Sequence, residues 1–362
     1  MVDFIGYVVS ELKSKRLSKE NALALVSQFS RRSAGRGSSI HPLLHTNTSD
    51  FGQQSYRTVL TGEEFFLRDH QVRLEGAKVA RVLPGVAYLE MVRAAVWHAS
   101  SVQRSPGALQ LHDVVWLKPL VVEDSTDLSI DLLENDTDQS GPYTMDYEIY
   151  RETEGERHVF CQGRATLRSE SATGWLDLAQ IERQIGQDRL EAARLYGTCA
   201  TMGLHYGPAH QSITSINLAP DQLLARLRLP EIVAETSDRY LLHPSLMDGA
   251  LQASIGLVID LNRVPDRPSV PFALDSLIVS APCTRDMLAW VRYSAGSGVR
   301  DRVMRLDVDL CDESGNVCVQ IRGFASRSLA PGRMAFDDDF YRNILEKVLR
   351  QEISIDEAAD SE

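Results

Sequence analysis

The sequence lacks the marks of several large protein classes. Its five cysteines are odd in number and form no CxxC pair, so neither a disulfide framework nor a zinc site is indicated. No apolar run approaches the roughly 18 residues that a membrane-spanning helix needs, and the first residues have no basic stretch of the kind that opens a signal peptide. These absences favour a cytoplasmic protein, or a piece of a larger cytoplasmic assembly, that contacts no membrane.

Several catalytic motifs are missing as well. The chain has no GxSxG, no P-loop, no HExxH and no complete GxGxxG, because the glycines at positions 296 and 298 are not followed by the third one. The net charge of −12 argues against nucleic acid as the main partner. We therefore expect no metal, no bound cofactor and no nucleic acid.

What the chain does contain fits a folded protein with a large core. Hydrophobic residues make up 43% of the sequence and charged residues 24%, which is ordinary for a globular protein. A length of 362 residues allows two domains or one large duplicated domain. The order of the predicted elements favours duplication.

The second half of the sequence repeats the layout of the first. Each half has an apolar helix introduced by a proline, Pro84 in the first half and Pro244 in the second, followed by several strands. The closing strands share a detail, since QGRA at residues 162–165 resembles RGFA at residues 322–325. We predict one duplicated α+β unit, in which each half is a curved antiparallel sheet that holds one central helix.

Three local predictions concern the surroundings of the candidate site. The apolar residues of the segment Glu64–Leu67 predict a strand that ends at His70. A helical stretch is predicted from about Leu176 to Thr201. Pro84 is expected in the first turn of the helix that follows it, because its fixed φ suits that position.

Composition and layout divide the chain into four segments. Residues 1–39 are predicted as a helical linker or docking segment, and residues 40–170 as the first half of the duplicated unit. Residues 171–333 are predicted to contain a linker helix and the second half, and residues 334–362 an acidic helical tail that is also a candidate docking segment. Ordinary terminal helices packed on the main body are the alternative for both ends.

His70 is the first candidate catalytic residue. A polar loop follows it, and then Pro84 and Gly85 open the first apolar helix. A histidine that faces the positive end of a buried helix combines a base with a site that attracts negative charge. That combination suits the removal of a proton next to a carbonyl group. A purely structural histidine is the competing interpretation.

Asp248 is the second candidate. The sequence indicates a position in the first turn of the second apolar helix, with Gln252 one turn later on the same face. An aspartate there commonly caps the helix N-terminus. The apolar neighbours Met247 and Leu251 indicate burial instead, where a carboxylate needs partners. Gln252 is expected to hydrogen-bond Asp248 or a substrate oxygen.

Four motifs follow one another in a specific order. They are HPLL at residues 41–44, DH at 69–70 followed by LPGVAYLE at 83–90, YGP at 206–208 and HPSLMDGALQ at 243–252. In this order they resemble the dehydratase domain of modular polyketide synthases. The wording VAYLEM at residues 86–91 is most similar to the trans-acyltransferase subgroup, whose assembly lines lack built-in acyltransferases. The resemblance covers roughly residues 40–330.

This resemblance implies a double hot-dog fold and a hydro-lyase. The family removes water from a β-hydroxyacyl thioester, carried on the phosphopantetheine arm of an acyl carrier protein, to give an α,β-enoyl thioester. By the same resemblance His70 is the general base and Asp248 the acid that protonates the departing hydroxyl. The assisting residues that it implies are Tyr206, Gln252, Gly207, Pro84 and Gly85, whose N–H polarises the thioester carbonyl. The implied partners are the carrier protein and neighbouring synthase domains, with a homodimer left open.

These roles set requirements on protonation and position. The base must be neutral and the acid protonated at working pH, and burial is expected to lower the pKa of His70 and to raise the pKa of Asp248. Because one residue comes from each half, we expect them on different walls of a narrow tunnel.

The sequence departs from the family pattern at two places. The family spaces its histidine, glycine and proline as HxxxGxxxxP, whereas Gly76 lies six positions after His70 and Pro84 eight positions after Gly76. The loop 73–81 therefore holds about five extra residues, which we expect to leave both anchors in place. In addition, His210 stands where the turn motif more usually has phenylalanine. It adds a polar group near the tunnel entrance or serves a structural role.

Competing functions stay open beside dehydration. The same fold can move a double bond to the β,γ position or close a cyclic ether, although the presence of Asp248 and Pro84 counts against pure migration. An inactive scaffold that binds carrier protein is the alternative suggested by the altered loop and the helical ends. Candidate contacts to an acidic carrier protein are Arg73, Lys78 and Arg81, with a merely solvated loop as the other interpretation.

Overall fold

The computed structural model describes residues 39–50, 52–74, 78–100, 108–134, 143–168, 174–258, 268–298, 301 and 303–328. The chain divides into two compact units, residues 1–40 and residues 41–362. All helices and strands named in this article belong to the second unit. The predicted N-terminal helices and the acidic C-terminal tail lie outside the described residues.

The front half of this unit extends to residue 168. Its elements in chain order are β1 (Thr46–Asn47), β2 (Gln54–Leu60), α1 (Phe65–Arg68), β3 (His70–Arg73), β4 (Val79–Arg81), α2 (Gly85–Ala99), β5 (Leu109–Trp116), β6 (Thr126–Glu134), β7 (Tyr143–Thr153) and β8 (Glu156–Leu167).

The rear half begins at residue 174. Its elements are α3 (Leu178–Ile185), β9 (Arg189–Leu190), α4 (Ala192–Met202), β10 (Leu204–Tyr206), a 3₁₀ turn (Pro208–His210), β11 (Ile213–Leu218), β12 (Gln222–Arg228), a 3₁₀ segment (Glu231–Arg239), α5 (Pro244–Val258), β13 (Ser269–Val279), β14 (Asp286–Tyr293), β15 (Arg305–Cys311) and β16 (Val317–Ser328).

The two halves share one topology. In the described part of the chain, the main sheet contains the order β2-β6-β7-β8-β5 in the front half and β12-β14-β15-β16-β13 in the rear half. In each half the long apolar helix, α2 or α5, follows the first strand of that series in the chain. The halves meet where β5 pairs antiparallel with β13, with Leu111 opposite Leu277. This correspondence confirms the predicted duplicated α+β unit.

The two long helices are enclosed almost all round. Ten of the fifteen residues of α2 and thirteen of the fifteen of α5 are buried, as their continuous apolar sequence predicts. Gly249 in α5 allows a close approach, because a Cβ there would lie 2.0 Å from Ser212 Oγ. Within the described residues, no helix is both long and apolar enough to cross a membrane.

The segment before His70 is a helical turn, so the predicted strand at Glu64–Leu67 is wrong. The carbonyl oxygen of Glu64 accepts hydrogen bonds from the N–H groups of Leu67 and Arg68. A short run of apolar residues does not distinguish a buried strand from a buried turn of helix. His70 therefore begins β3 rather than ending a strand.

The helical stretch predicted from about Leu176 to Thr201 consists of two helices, α3 and α4, with the short strand β9 between them. Gly186 ends α3 with a φ of +82°, in the region that favours glycine. The short strand β9 then pairs with β11, with Leu190 opposite Ile216, before α4 starts. A single glycine is tolerated inside a helical pattern, so the pattern alone does not reveal the break.

Candidate active site

One cavity is lined by residues of both halves. His70 and Gly85 come from the front half, and Tyr206, Asp248 and Gln252 come from the rear half. Much of the remaining wall is apolar and includes Val72, Leu83, Trp116, Met202, Leu204, Leu251, Ile255, Val270, Pro271 and Phe324. The fold therefore brings five of the seven predicted site residues to one cavity.

A small three-stranded sheet joins the two halves beside this cavity. The central strand, β3, pairs antiparallel with β4 of the front half and with β10 of the rear half. In this register His70 lies opposite Tyr206, and the centroids of their rings are 5.6 Å apart. Backbone pairing thus fixes the imidazole and the phenol beside each other.

The hydrogen bond of His70 determines which ring nitrogen can act as a base. Nδ1 lies 2.8 Å from the carbonyl oxygen of Val82. A carbonyl oxygen only accepts hydrogen bonds, so Nδ1 carries the proton and Nε2 keeps its lone pair. Burial, opposed by the charge of Asp248, lowers the pKa of His70, which is the predicted direction. The imidazole is therefore neutral near pH 7.

The longer loop after His70 forms a hairpin between β3 and β4. Gln71 pairs with Arg81, and the N–H of Val82 donates to the carbonyl oxygen of His70 at 3.2 Å. The base of the hairpin is therefore closed beside His70. Residues 75–77 lie outside the described residues. That the extra length leaves both anchors, His70 and Pro84, in place stays a prediction.

The three cations of this hairpin already have partners. Arg73 donates to the carbonyl oxygen of Thr201 at 2.6 Å, where α4 ends. Lys78 forms an ion pair with Glu123, and Arg81 pairs with Glu63. These are the side chains that the sequence offers as contacts for a carrier protein, and that role stays a prediction.

Pro84 and Gly85 start α2 at the edge of the cavity. Pro84 has φ −58° and ψ 139°, so it precedes the helix as its N-cap, one position earlier than predicted. A Cβ on Gly85 would lie 3.0 Å from Pro271 Cγ, so glycine lets the helix start close to the neighbouring strand. The first N–H groups of a helix have no acceptor within it, which makes the N–H of Gly85 a donor at the positive end of α2.

Asp69 holds the turn that follows Tyr206. The N–H of Gly207 donates to the carbonyl oxygen of Asp69 at 2.8 Å, and the N–H of Ala209 donates to Asp69 Oδ2 at 2.8 Å. A Cβ on Gly207 would lie 2.5 Å from Asp69 Cγ, so this close approach needs glycine. Gly207 and Pro84 thus shape the backbone next to the cavity without lining it, and the turn carries His210 into the interior.

Asp248 lies in the second turn of α5, because the helix begins at Pro244. The predicted first-turn position is therefore wrong, and the free N–H groups of the helix lie before Asp248. Its Oδ2 accepts a hydrogen bond from Gln252 Nε2 at 2.6 Å and lies 3.1 Å from His210 Nδ1. Its Oδ1 accepts no hydrogen bond from the described residues, which leaves this oxygen open to a molecule in the cavity.

The pKa of Asp248 lies below the usual aspartate value, opposite to the predicted direction. Burial favours the neutral carboxyl and is the largest single influence. It is outweighed by the hydrogen bond from His210, the positive charges of His70 and His210 and the hydrogen bond from Gln252. The prediction is wrong because it rests on burial alone.

His210 is the residue of this site whose place the sequence leaves open. It is fully buried, with 0% of its surface exposed, so it is not at an entrance. The centroid of its ring lies 5.5 Å from that of His70, and its Nδ1 contacts Asp248. The available signal is the motif itself, which carries a polar ring at a position that more usually has phenylalanine.

Two family models match the unit that contains this site. The model described as polyketide synthase dehydratase domain matches residues 41–151, and the model described as polyketide synthase dehydratase N-terminal domain matches residues 177–335. The first match falls on the front half and the second on the rear half.

Large synthases are among the curated relatives. Polyketide synthase PksM of Bacillus subtilis is 36% identical over 298 residues, which are 80% of this chain and 7% of that protein. Polyketide synthase PksN of the same organism is 38% identical over 307 residues, 84% of this chain and 5% of that protein. The chain thus spans only a small part of the length of the relatives that it matches.

Solved structures match nearly over their full length. A trans-AT polyketide synthase dehydratase domain from Brevibacillus brevis is 41% identical, with a TM-score of 0.73, and the match covers 81% of this chain and 99% of that one. The dehydratase domain of RzxB from Pseudomonas fluorescens is 26% identical, with a TM-score of 0.67 and coverage of 80% and 100%.

These structures define the architecture as a double hot-dog fold, which confirms the predicted fold class. The chain belongs to the polyketide synthase dehydratase family and resembles its trans-acyltransferase subgroup.

Proposed function

We propose that this domain removes water from a β-hydroxyacyl thioester to give an α,β-enoyl thioester. One observation carries the proposal: His70 of the front half and Asp248 of the rear half line the same cavity, each with one atom available to a bound molecule. Hydroxide is a poor leaving group, so the elimination needs a base at the α-carbon and an acid at the β-oxygen. The two side chains supply these two functions.

The proposed reaction moves two protons in one elimination. His70 Nε2 takes the α-proton, and the electron pair of that C–H bond forms the α,β double bond. The bond between the β-carbon and oxygen breaks with its electron pair on oxygen, and Asp248 Oδ1 protonates this oxygen so that water leaves. Transfer of one proton from His70 to Asp248 through the released water restores the starting pair.

In this proposal the reacting pair carries a single proton, on Asp248 rather than on His70, although the pKa of Asp248 lies below the usual aspartate value before substrate binds. Burial favours the neutral form of His70. The charge of protonated His70 is among the influences that lower the pKa of Asp248, and this influence vanishes when His70 is neutral. An acyl chain in the cavity also displaces water, which strengthens the effect of burial on Asp248. Substrate binding therefore favours the protonation state that the reaction needs.

Two further groups assist in this proposal. The N–H of Gly85 can donate to the thioester carbonyl and make the α-proton more acidic, and one oriented donor of this kind lowers a barrier by roughly 3 kcal/mol. Burial and the charge of Asp248 raise the pKa of Tyr206. Its phenol therefore stays protonated at working pH and can donate a hydrogen bond to the substrate.

The lining of the cavity suits a substrate that is carried on a phosphopantetheine arm. Lys118 and Arg327 line the cavity together with the exposed Ser326, whereas the wall near His70 is largely apolar. An acyl chain would occupy the apolar part, and a phosphate would lie near the two cations at the exposed end. We therefore propose an acyl carrier protein as the partner that delivers the substrate, and neighbouring synthase domains as its source. A homodimer stays a prediction.

The test is incubation with β-hydroxyacyl-carrier proteins of several chain lengths, followed by mass spectrometry. We expect a mass decrease of one water, and a rate reduced by about 10²- to 10⁴-fold in His70→Ala, because the general base is lost. His98→Ala is the matched control, since this exposed histidine does not line the cavity. An unchanged mass at every chain length would favour a scaffold. With a dienoyl-carrier protein as substrate, a shifted diene absorbance without mass change would favour double-bond migration. With an enoyl-carrier protein that bears a distal hydroxyl, ring closure without mass change would favour cyclic-ether formation.

Substitution of Arg327 tests the proposed carrier. Arg327→Ala should raise KM for the carrier-bound substrate by up to about fivefold, because one partly solvated charge contact is lost. A short thioester without phosphate should show no such increase. Arg57→Ala is the control, since Arg57 pairs with Asp127 and does not line the cavity. Equal effects on both substrates would contradict phosphate recognition by Arg327.

A further inference from the structure

The proposed elimination uses no atom of His210, although this ring lies against both reacting side chains. Its Nε2 is buried and has no hydrogen-bond partner among the described residues. A buried nitrogen without a partner costs free energy, and phenylalanine would fill the same space without that cost. The ring packs on Phe65, with centroids 6.3 Å apart, which an aromatic hydrocarbon would do equally well. The presence of a histidine at this position must therefore be explained by the other ring nitrogen, Nδ1.

That other nitrogen faces Asp248. Nδ1 lies 3.1 Å from Oδ2, and because this oxygen accepts, Nδ1 is the donor. The amide of Gln252 donates to the same oxygen at 2.6 Å and to the carbonyl oxygen of His210 at 3.1 Å. The three residues form a closed hydrogen-bonded triangle in which only Oδ1 of the carboxyl remains open.

We propose that His210 is a positioning residue for Asp248. His210 and Gln252 together donate hydrogen bonds to Oδ2 of Asp248 and so leave its Oδ1 facing the substrate. The inference rests on the proposed dehydratase function. Asp248 becomes an anion as it gives up its proton, and a hydrogen bond to an ionised acceptor is stronger than one to a neutral acceptor. The donor on His210 thus stabilises the transition state more than the bound substrate, and it acts on kcat rather than on KM.

Other titratable groups also face this pair. Those near Asp248 are His70 on β3, Tyr206 on β10, and Tyr196 and Cys199 on α4, and His243 faces His210 from the start of α5. Among the described residues, none of these groups donates a hydrogen bond to Asp248. Orientation of the carboxyl therefore depends on His210 and Gln252.

Three substitutions of His210 separate the contribution of its Nδ1 hydrogen bond from the contribution of its aromatic ring. His210→Phe keeps an aromatic ring without a donor, His210→Asn keeps an N–H near the position of Nδ1, and His210→Gln places its N–H near the position of Nε2. We expect kcat with a β-hydroxyacyl-carrier protein to fall by about 10- to 100-fold in His210→Phe and His210→Gln, with KM nearly unchanged. His210→Asn should recover about tenfold of this loss. Equal kcat values for Asn and Gln would overturn the inference, even if the Phe variant fails to fold.

A second measurement does not depend on turnover. The carboxyl carbon of Asp248, assigned by its absence from Asp248→Asn, is followed by ¹³C NMR as a function of pH. Loss of the Nδ1 donor should raise the pKa of Asp248 in His210→Phe and His210→Gln, and His210→Asn should reverse the shift, because the donor stabilises the ionised form. The same titration in all variants would overturn the positioning role. A wild-type protein that dehydrates nothing would instead overturn the proposed function, and the titration would still judge the hydrogen bond.

Discussion

Each half of the molecule buries one carboxylate on its central helix. The two carboxylates differ in how many of their oxygens accept hydrogen bonds from the protein. Glu90 on α2 is 0% exposed and Asp248 on α5 is 7% exposed. Both oxygens of Glu90 accept hydrogen bonds, from His41, Arg93 and the N–H groups of Leu241 and Leu242. In Asp248 only Oδ2 accepts hydrogen bonds from the described residues.

This difference separates a carboxylate with a structural role, Glu90, from one that keeps an oxygen available to a bound molecule, Asp248. Burial opposes ionisation of Glu90, but the hydrogen bonds and charges of His41 and Arg93 outweigh it and lower its pKa. Its bonds to Leu241 and Leu242 also fasten α2 to the segment before α5, across the two halves. Burial alone thus does not identify a catalytic carboxylate, and the role proposed for Asp248 rests on its one open oxygen beside a cavity.

The largest effects are expected when each carboxylate is replaced by its amide. Asp248→Asn should lower kcat by about 10²- to 10⁴-fold with folding retained, because an amide has the same shape but releases no proton. Glu90→Gln should instead lower the free energy of unfolding by about 3 to 5 kcal/mol, because Arg93 loses a buried counter-charge. The measurements are urea unfolding and kcat per folded molecule.

The outcome of this pair tests the comparison itself. Glu90→Gln should keep the wild-type kcat in its folded fraction. If both variants lost activity and stability to similar extents, the number of open oxygens would not separate the two roles.

An intermediate effect is expected at Gly249 of α5. Gly249→Ala would bring a Cβ to within 2.0 Å of Ser212 Oγ, and overpacking of this kind costs about 1 to 3 kcal/mol of stability. Gly197 in α4 is the matched control, since a Cβ there would meet nothing within 4 Å. Gly197→Ala should stabilise the protein by about 0.5 to 1 kcal/mol, as expected for an unobstructed helix interior.

Removal of the obstructing oxygen checks the cause. Ser212→Ala in the Gly249→Ala background should recover part of the lost stability in urea unfolding. If the double variant were no more stable than Gly249→Ala, the contact with Ser212 would not be the reason for the glycine.

The two histidines that precede prolines differ in the group that their Nε2 atom faces. Nδ1 accepts the N–H two residues later in both, from Leu43 to His41 at 3.1 Å and from Ser245 to His243 at 3.2 Å. His41 Nε2 faces the carboxylate of Glu90 at 3.1 Å, whereas His243 Nε2 faces the hydroxyl of Thr236 at 2.9 Å. Burial and the charge of His210 lower the pKa of His243 to about 3.

The low pKa of His243 makes stability depend on pH. Below the unfolded value of about 6.5 the unfolded chain binds a proton that the folded chain does not, so this contribution to stability is complete above pH 6.5 and is lost as the pH falls. Between pH 7 and pH 5 the loss should be roughly 2 kcal/mol larger in the wild type than in His243→Asn. Urea unfolding at the two pH values measures the difference, and equal losses in both proteins would contradict the assignment.

The overall layout is predictable because it depends on local patterns. Pro84 and Pro244 each introduce a continuous apolar run, and alternating strands follow both, so the duplication is visible in the sequence alone. The same motifs indicate His70 and Asp248 as candidates, and the fold brings both to one cavity.

The details that could not be predicted depend on contacts between distant residues. His210 and Asp248 are 38 positions apart in the chain, and Asp69 and Ala209 are 140 apart. No periodicity reports such pairs, so the direction of the Asp248 pKa and the place of His210 follow only from the folded chain. The break at Gly186 likewise depends on β9 pairing with β11.

The proposed base and the proposed acid differ in how easily a substitution elsewhere in the chain can disturb their orientation. His70 is oriented by the main-chain carbonyl of Val82, which every amino acid at that position would provide. Asp248 is oriented by the side chains of His210 and Gln252, and a single codon change can delete either one. Related domains that acquire a different reaction should therefore change first at Asp248 or at its two side-chain partners, while the backbone hydrogen bond keeps the proton of His70 on Nδ1.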